Sequence, residues 1–349
     1  MAAPTDRSLS SLIAANDLDE ILREIDAICT RRDWDALRDL RDRCDRALDR
    51  GFQLWPASHH AAYRLALEAP GEWAATVLEE GVARFAPGPL PEVAAQWHDW
   101  ADLEPWVPHG PAAALALHER VVRGEDLRGA PLPGPDPLEL PLELQVWEPA
   151  YPVAEYRSDG ARFPSPPAPE FRTQPVAMPS RPFDDPDACA ALLALVRGWT
   201  DGSAATARAV AVDGDAAGAV ANLDPGVSRM ARITGAEALA WMGWAAACGG
   251  AHGRRRGAAT GRMDAWLAVA AISGLDGWPV DPDELGAALG LLDWWLWEPS
   301  TPVSGWSLHL AVDDGETGEA GALAAHSPAD APDGLAGPAA PEAPEPSGR

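Results

Sequence analysis

Trp306-Ser307-Leu308-His309-Leu310-Ala311-Val312 and Ala320-Gly321-Ala322-Leu323-Ala324-Ala325-His326 flank a stretch that contains Asp314-Gly315. Side chains two apart share a face of a strand, so the first run sets Leu308, Leu310 and Val312 together. Asp-Gly between two such runs is a hairpin signal. A third strand-like run, Asp293–Trp297, comes just before, and Thr206–Val212 alternates in the same way. Between and before them the spacing changes to that of helices, at Pro186–Thr200, Gly235–Cys248, Arg254–Ser273 and Pro282–Leu291. Helices packed on a small, mostly antiparallel sheet make residues 184–327 an α+β domain. Beyond Ser327, residues 328–349 combine Pro, Ala, Gly and acid with too little apolar surface to fold, and a disordered tail is expected.

Upstream, residues 129–183 are rich in proline and read as an extended connector, with short strands at Leu140–Val146 and Val153–Tyr156. Residues 8–128 carry helical spacing throughout. Asn16 is placed to cap Asp17–Ile28, in which Leu18, Ile21, Leu22, Ile25 and Ile28 share one face. Arg31–Arg50 sets Trp34, Leu37, Leu40, Cys44 and Leu48 in a stripe and ends at Gly51. Its other faces alternate Asp and Arg, with Asp39/Arg43 and Asp42/Arg46 spaced to pair across a turn. Further helices are expected at Ala57–Glu68, Glu72–Phe85, Pro91–Leu103 and Pro111–Arg123, separated by Pro-Gly breaks. The whole is therefore α+β: an N-terminal all-α array of helical hairpins, like an α-solenoid but without a sequence repeat, then the mixed domain.

The net charge of −26 argues against nucleic acid and anionic membranes as partners, since both select a basic face. All 27 basic residues are arginine. Lysine-bound pyridoxal phosphate, P-loop and ordinary protein-kinase chemistry are thereby excluded, because each needs a lysine. Such a composition, with abundant Ala, Gly and Pro, fits a GC-rich bacterial genome. No apolar run reaches the length of a membrane span, no leader is visible in Met1–Ser11, and the four cysteines form no Cys-x-x-Cys pair. A cytoplasmic protein is the expectation.

One segment contrasts with the acidic background. From Arg229 to Arg262 there are six arginines and a single acid, Glu237. The core of it is Gly249-Gly250-Ala251-His252-Gly253-Arg254-Arg255-Arg256-Gly257-Ala258-Ala259-Thr260-Gly261-Arg262. Glycines ahead of a helix N-terminus let backbone N–H groups approach an anion, and arginine forks bind phosphate or carboxylate. His252, Arg254, Arg255, Arg256 and Arg262 are therefore the candidate anion-binding residues. The competing reading ranks first: the arginines pair with acids of their own domain, such as Asp201, Asp213, Asp215 and Glu298, and the glycines permit close packing.

Other candidates carry less. Trp294, Trp295, Trp297 and Trp306 could form a platform for sugars or bases, but core is the commoner role. Cys248 near His252 hints at a thiol–imidazole pair, against a buried inert thiol. Asp184-Asp185-Pro186-Asp187 and Asp281-Pro282-Asp283 read as acidic helix starts. The histidines lack ligand spacing, so no metal and no cofactor is expected.

The stretch Gly249–Arg262, with Trp266, Trp278–Leu285 and Gly305–Leu308, resembles an uncharacterised family of GC-rich bacteria, a domain of unknown function. The segment Trp34–Leu67, with Gln53-Leu54-Trp55-Pro56, is similar to the N-terminal part of the same family. The resemblance implies no activity and supplies no catalytic residue. Two functions remain: a non-catalytic interaction or adaptor protein that binds another protein through the helical array, and, as the alternative, a protein or enzyme that binds a small phosphorylated or carboxylated metabolite through the arginine loop.

Overall fold

A computed structural model describes residues 9–79, 81, 86–201, 204–227 and 229–329. The chain forms two compact units. The first comprises the chain to Leu144 plus Ala154–Ala161, and the second comprises Gln145–Val153 and everything from Arg162. The stretch read as a connector is thus divided between the two.

In the first unit the helices are α1 (Leu9–Ala15), α2 (Leu18–Arg31), α3 (Trp34–Leu48), α4 (Trp55–Glu68), α5 (Gly71–Ala74), α6 (Leu90–Ala94), α7 (Trp100–Leu103) and α8 (Pro111–Val122). Their core takes the expected stripes: Ile21, Ile25 and Ile28 from α2, and Leu37, Leu40 and Cys44 from α3. Asp17, not Asn16, caps α2 by accepting from Glu20 N–H (3.2 Å). Asn16 instead bends the chain between α1 and α2 at φ +53°. Past Ala74 the expected long helix tightens to one 3-10 turn, Ala75–Val77, and its expected end, at residues 80 and 82–85, lies outside the described residues. The helix expected over Pro91–Leu103 is broken into α6 and α7 by a non-helical turn. No strand forms over Leu140–Val146. The short strand there is β1 (Glu155–Arg157), beside β2 (Gly160–Arg162).

The second unit holds β3 (Arg172–Thr173), β4 (Arg181–Phe183), α9 (Pro186–Ala194), α10 (Arg197–Thr200), β5 (Thr206–Asp213), α11 (Ala216–Leu223), β6 (Arg229–Ile233), α12 (Gly235–Ala247), α13 (Ala258–Ile272), α14 (Pro282–Leu291), β7 (Asp293–Glu298), β8 (Trp306–Asp314) and β9 (Glu319–Ser327). One seven-stranded sheet runs β3-β6-β7-β8-β9-β5-β4, and its paired strands are all antiparallel. The expected hairpin is β8–β9, with Trp306 opposite Ser327 and Asp314 opposite Glu319. Its loop is four residues long, closed by Gly318 N–H to the Asp314 carbonyl (2.9 Å), with Gly318 at φ +73°. On one face α11 covers Val212, Met230, Trp297, Ala311, Ala320 and Ala322. α12 and α13 pack together against the rest of the unit, and a capping box starts α12: Thr234 accepts from Glu237 N–H while the Glu237 carboxylate accepts from Thr234 N–H. The tail expected beyond Ser327 lies outside the described residues from residue 330 onward.

Candidate functional site

The arginine segment folds as a tight loop between α12 and α13. Its glycines are set by packing. A side chain on Gly253 would collide with the Gly198 carbonyl, and one on Gly261 with the Gly243 carbonyl where α12 and α13 touch. The Arg256 N–H donates to the Ala247 carbonyl (2.7 Å) and closes the loop.

The five candidate residues do not converge. Arg262 is buried, 1% exposed, and grips the equally buried Glu148 with two bonds, Nε to Oε1 (2.8 Å) and Nη2 to Oε2 (2.7 Å). The same carboxylate accepts from Trp266 Nε1 (2.8 Å), Tyr151 OH (2.8 Å) and Gln145 N–H (2.9 Å). A buried anion is held only with such a full set of donors. The Tyr151 hydroxyl is driven well above its ordinary range by burial and by this neighbouring charge. Arg256 pairs with Asp264, whose pKa burial raises even though Arg256 opposes it. The Arg255 guanidinium lies 4.9 Å from the centre of the Phe163 ring. Arg254 is exposed, and His252, also exposed, donates from Nε2 to the Pro328 carbonyl (3.2 Å). Elsewhere Arg229 meets Glu298 (2.5 Å) and Arg232 meets Asp293. The sequence offered no sign of Glu148, which lies 114 residues before its partner.

The other chemical candidates have structural roles. Burial pushes the Cys248 thiol up to about 12, and its hydrogen faces the Ala245 carbonyl (3.5 Å) rather than His252. Trp294 and Trp297 are buried, and Trp306 stacks on Trp244 with ring centres 5.2 Å apart. Asp185 and Asp281 cap α9 and α14. No group of three metal-ligating side chains occurs among the described residues. No helix among them is long and apolar enough to cross a membrane.

The helical unit shows a different surface. Trp97 is 69% exposed and Trp106 55%. Beside Trp97 runs an open groove of about 520 Å³, bordered by Arg32, Trp34, Leu67, Glu68 and His98. Glu68 is committed to Arg64 (2.5 Å), which also holds Asp26 (2.5 Å). His98 is 9% exposed, and burial lowers its pKa while Asp102 opposes the shift. Nothing in the spacing of Trp97 and Trp106 separates them from the buried Trp34 and Trp100, so the sequence did not reveal this surface.

A family model described as "Family of unknown function (DUF6183)" matches residues 19–326. No curated protein and no solved structure matches the chain.

Proposed function

Because the chain belongs to the DUF6183 family, whose function is unknown, we propose on the physical character of its surfaces that it is a non-catalytic interaction protein that binds a protein partner through the helical unit. The observation that carries this reading is the exposure of Trp97 and Trp106. Exposed tryptophans are costly to leave wet, and covering one is worth on the order of 2–3 kcal/mol. Aromatic residues of this kind anchor protein interfaces. Three groups of the helical unit that could do chemistry are held in structural roles: Cys29 and Cys44 are buried with pKa values pushed up to about 11 and about 12, and His118 is tied to Asp136 (2.9 Å). The alternative, anion binding at the arginine loop, is supported less, since Arg262 and Arg256 already hold carboxylates.

The test is quantitative affinity capture from the native cell, comparing wild type with a Trp97→Ser, Trp106→Ser double variant. Partners held by wild type should be lost from the variant. An identical set of captured proteins would remove the proposal.

A further inference from the structure

In α4 the residues Trp55, His59 and Tyr63 are spaced four apart, so their rings stand in one row along the helix. The Trp55 and His59 ring centres are 5.8 Å apart, and His60 lies 6.4 Å from Tyr63. This row borders an open hollow of about 630 Å³, which Leu22 and Asp26 of α2 and Asp159 also line. Asp159 sits in the turn between β1 and β2. That turn is fixed to α4, because the Tyr63 hydroxyl donates to the Arg157 carbonyl (2.6 Å). Trp55 is 37% exposed, so part of its indole is open to an incoming group.

The hollow is negative even when the cations around it are counted. Asp26 and Asp159 line it, and no arginine does among the described residues. Arg64 touches Asp26 (2.5 Å), but it also grips Glu68 through Nε (2.5 Å) and Nη2 (3.2 Å). Three carboxylates, Asp26, Glu68 and Asp159, thus share one guanidinium. Arg157, next to the turn, pairs with Glu155 (4.0 Å). No hydrogen bond or ion pair holds the Asp159 carboxylate among the described residues. Partial burial lowers the pKa of both His59 and His60, which works against either ring adding a cancelling positive charge.

We infer that this hollow receives a basic side chain, arginine or lysine, from a segment of the partner protein, with its cationic head against Trp55 and beside the carboxylates of Asp26 and Asp159. The inference deepens the reading of the helical unit as the interaction module, on which it rests, by giving the partner a chemistry. Indole is the strongest of the aromatic faces for a cation, and a carboxylate next to it adds a charge-assisted hydrogen bond. A net charge of −26 also draws a basic segment in from a distance and turns an acidic one away.

The experiment is selection of phage-displayed random heptapeptides on the full-length protein, counter-selected on a Trp55→Leu, Asp159→Asn double variant. Enriched peptides are then made synthetically and titrated by fluorescence anisotropy. They should carry Arg or Lys. Each single substitution should weaken binding about three- to fivefold, the size of one exposed cation–π contact or ion pair, and the two together about tenfold or more. Asp159→Glu, which keeps the charge, should bind nearly as well as wild type. Binding should also weaken as salt is raised. Circular dichroism of each variant establishes that it remains folded, and Asp159, exposed in its turn, provides a test independent of α4. Peptides without basic enrichment, equal binding to the double variant, or free arginine binding as tightly as the peptides would each overturn the inference. Partner capture that depends on Trp97 and Trp106 but ignores both Trp55 and Asp159 would overturn it while leaving the interaction reading intact. Capture that ignores Trp97 and Trp106 would remove that reading itself.

Discussion

Replacing Arg262 with Met tests whether the most conspicuous cation of the arginine segment is structural. The side chain is 1% exposed and Glu148 is fully enclosed, so the substitution leaves a carboxylate in a dry site. Three donors remain, from Trp266, Tyr151 and Gln145, but no positive charge. Breaking a buried pair in this way costs about 3–5 kcal/mol. Glu148→Met should cost a similar amount, because it strands the guanidinium. The double variant removes both charges and retains volume. It should recover most of the loss, giving a coupling energy on the order of 3 kcal/mol in the double-mutant cycle. Urea unfolding followed by tryptophan fluorescence provides the measurement, with the transition of the second unit fitted separately. Single variants within about 1 kcal/mol of wild type, or purely additive losses, would refute the reasoning and return Arg262 to the pool of ligand-binding candidates.

His309 is held down to about 4 by burial, with His326 reinforcing the shift and Asp224 opposing it. An unfolded chain titrates this ring near 6.5, so the folded state binds its proton more weakly; the stability is fully present above about pH 6.5 and is lost as pH falls toward 4. The loss should approach about 3 kcal/mol, and His309→Gln should flatten that part of the profile when unfolding is followed against pH. At the arginine loop, Arg256→Gln should lower the melting temperature at pH 7 by leaving Asp264 unpaired, and do so progressively less as pH falls and that burial-raised carboxyl takes up its proton. Phosphate in the same thermal-shift series should leave the melting temperatures of wild type and of an Arg254→Gln, Arg255→Gln variant each where they stand without it; a phosphate-dependent rise in wild type that the variant lacks would restore the anion-binding reading.

What could be read from the chain depended on whether the deciding contacts were local. The β8–β9 hairpin was legible because period-two runs and an Asp-Gly turn lie within about twenty residues, and the register is set by that turn and the buried face together. α2 and α3 were legible for the same reason, their apolar stripes being complete within each helix. β6 escaped because Arg229-Met230-Ala231-Arg232-Ile233 has a strand's burial only once β3 and β7 flank it. α11 escaped because Ala216–Leu223 is short and rich in small residues, and gains its apolar purpose from the sheet beneath it. The candidate site divides along the same line. Glu298 was among the acids expected to face the arginine segment, but its partner there, Arg229 on the neighbouring strand, was not singled out. Glu148 was not anticipated, since Trp147, Glu148 and Tyr151 sit in a proline-rich stretch whose only sign of purpose is two aromatics beside one acid.

The absence of lysine sharpens the difference between a satisfied cation and an unsatisfied one. A guanidinium stays charged at any relevant pH and offers five donors in a fixed fork, so it cannot relieve a poor environment by losing its proton. Wherever this chain buries or half-buries an arginine, the acceptors must therefore be built around it. Arg64 has Glu68 and Asp26; Arg120 has Glu125, Asp99 and the Ala95 carbonyl; Arg123 has Glu119; Arg262 has Glu148. Sequence can locate cations and their excess, but acceptors assemble from distant segments. The arginine-rich loop thus drew the eye for its density, while the acceptor that settles the role of its buried member, Glu148, lies 114 residues earlier in the chain.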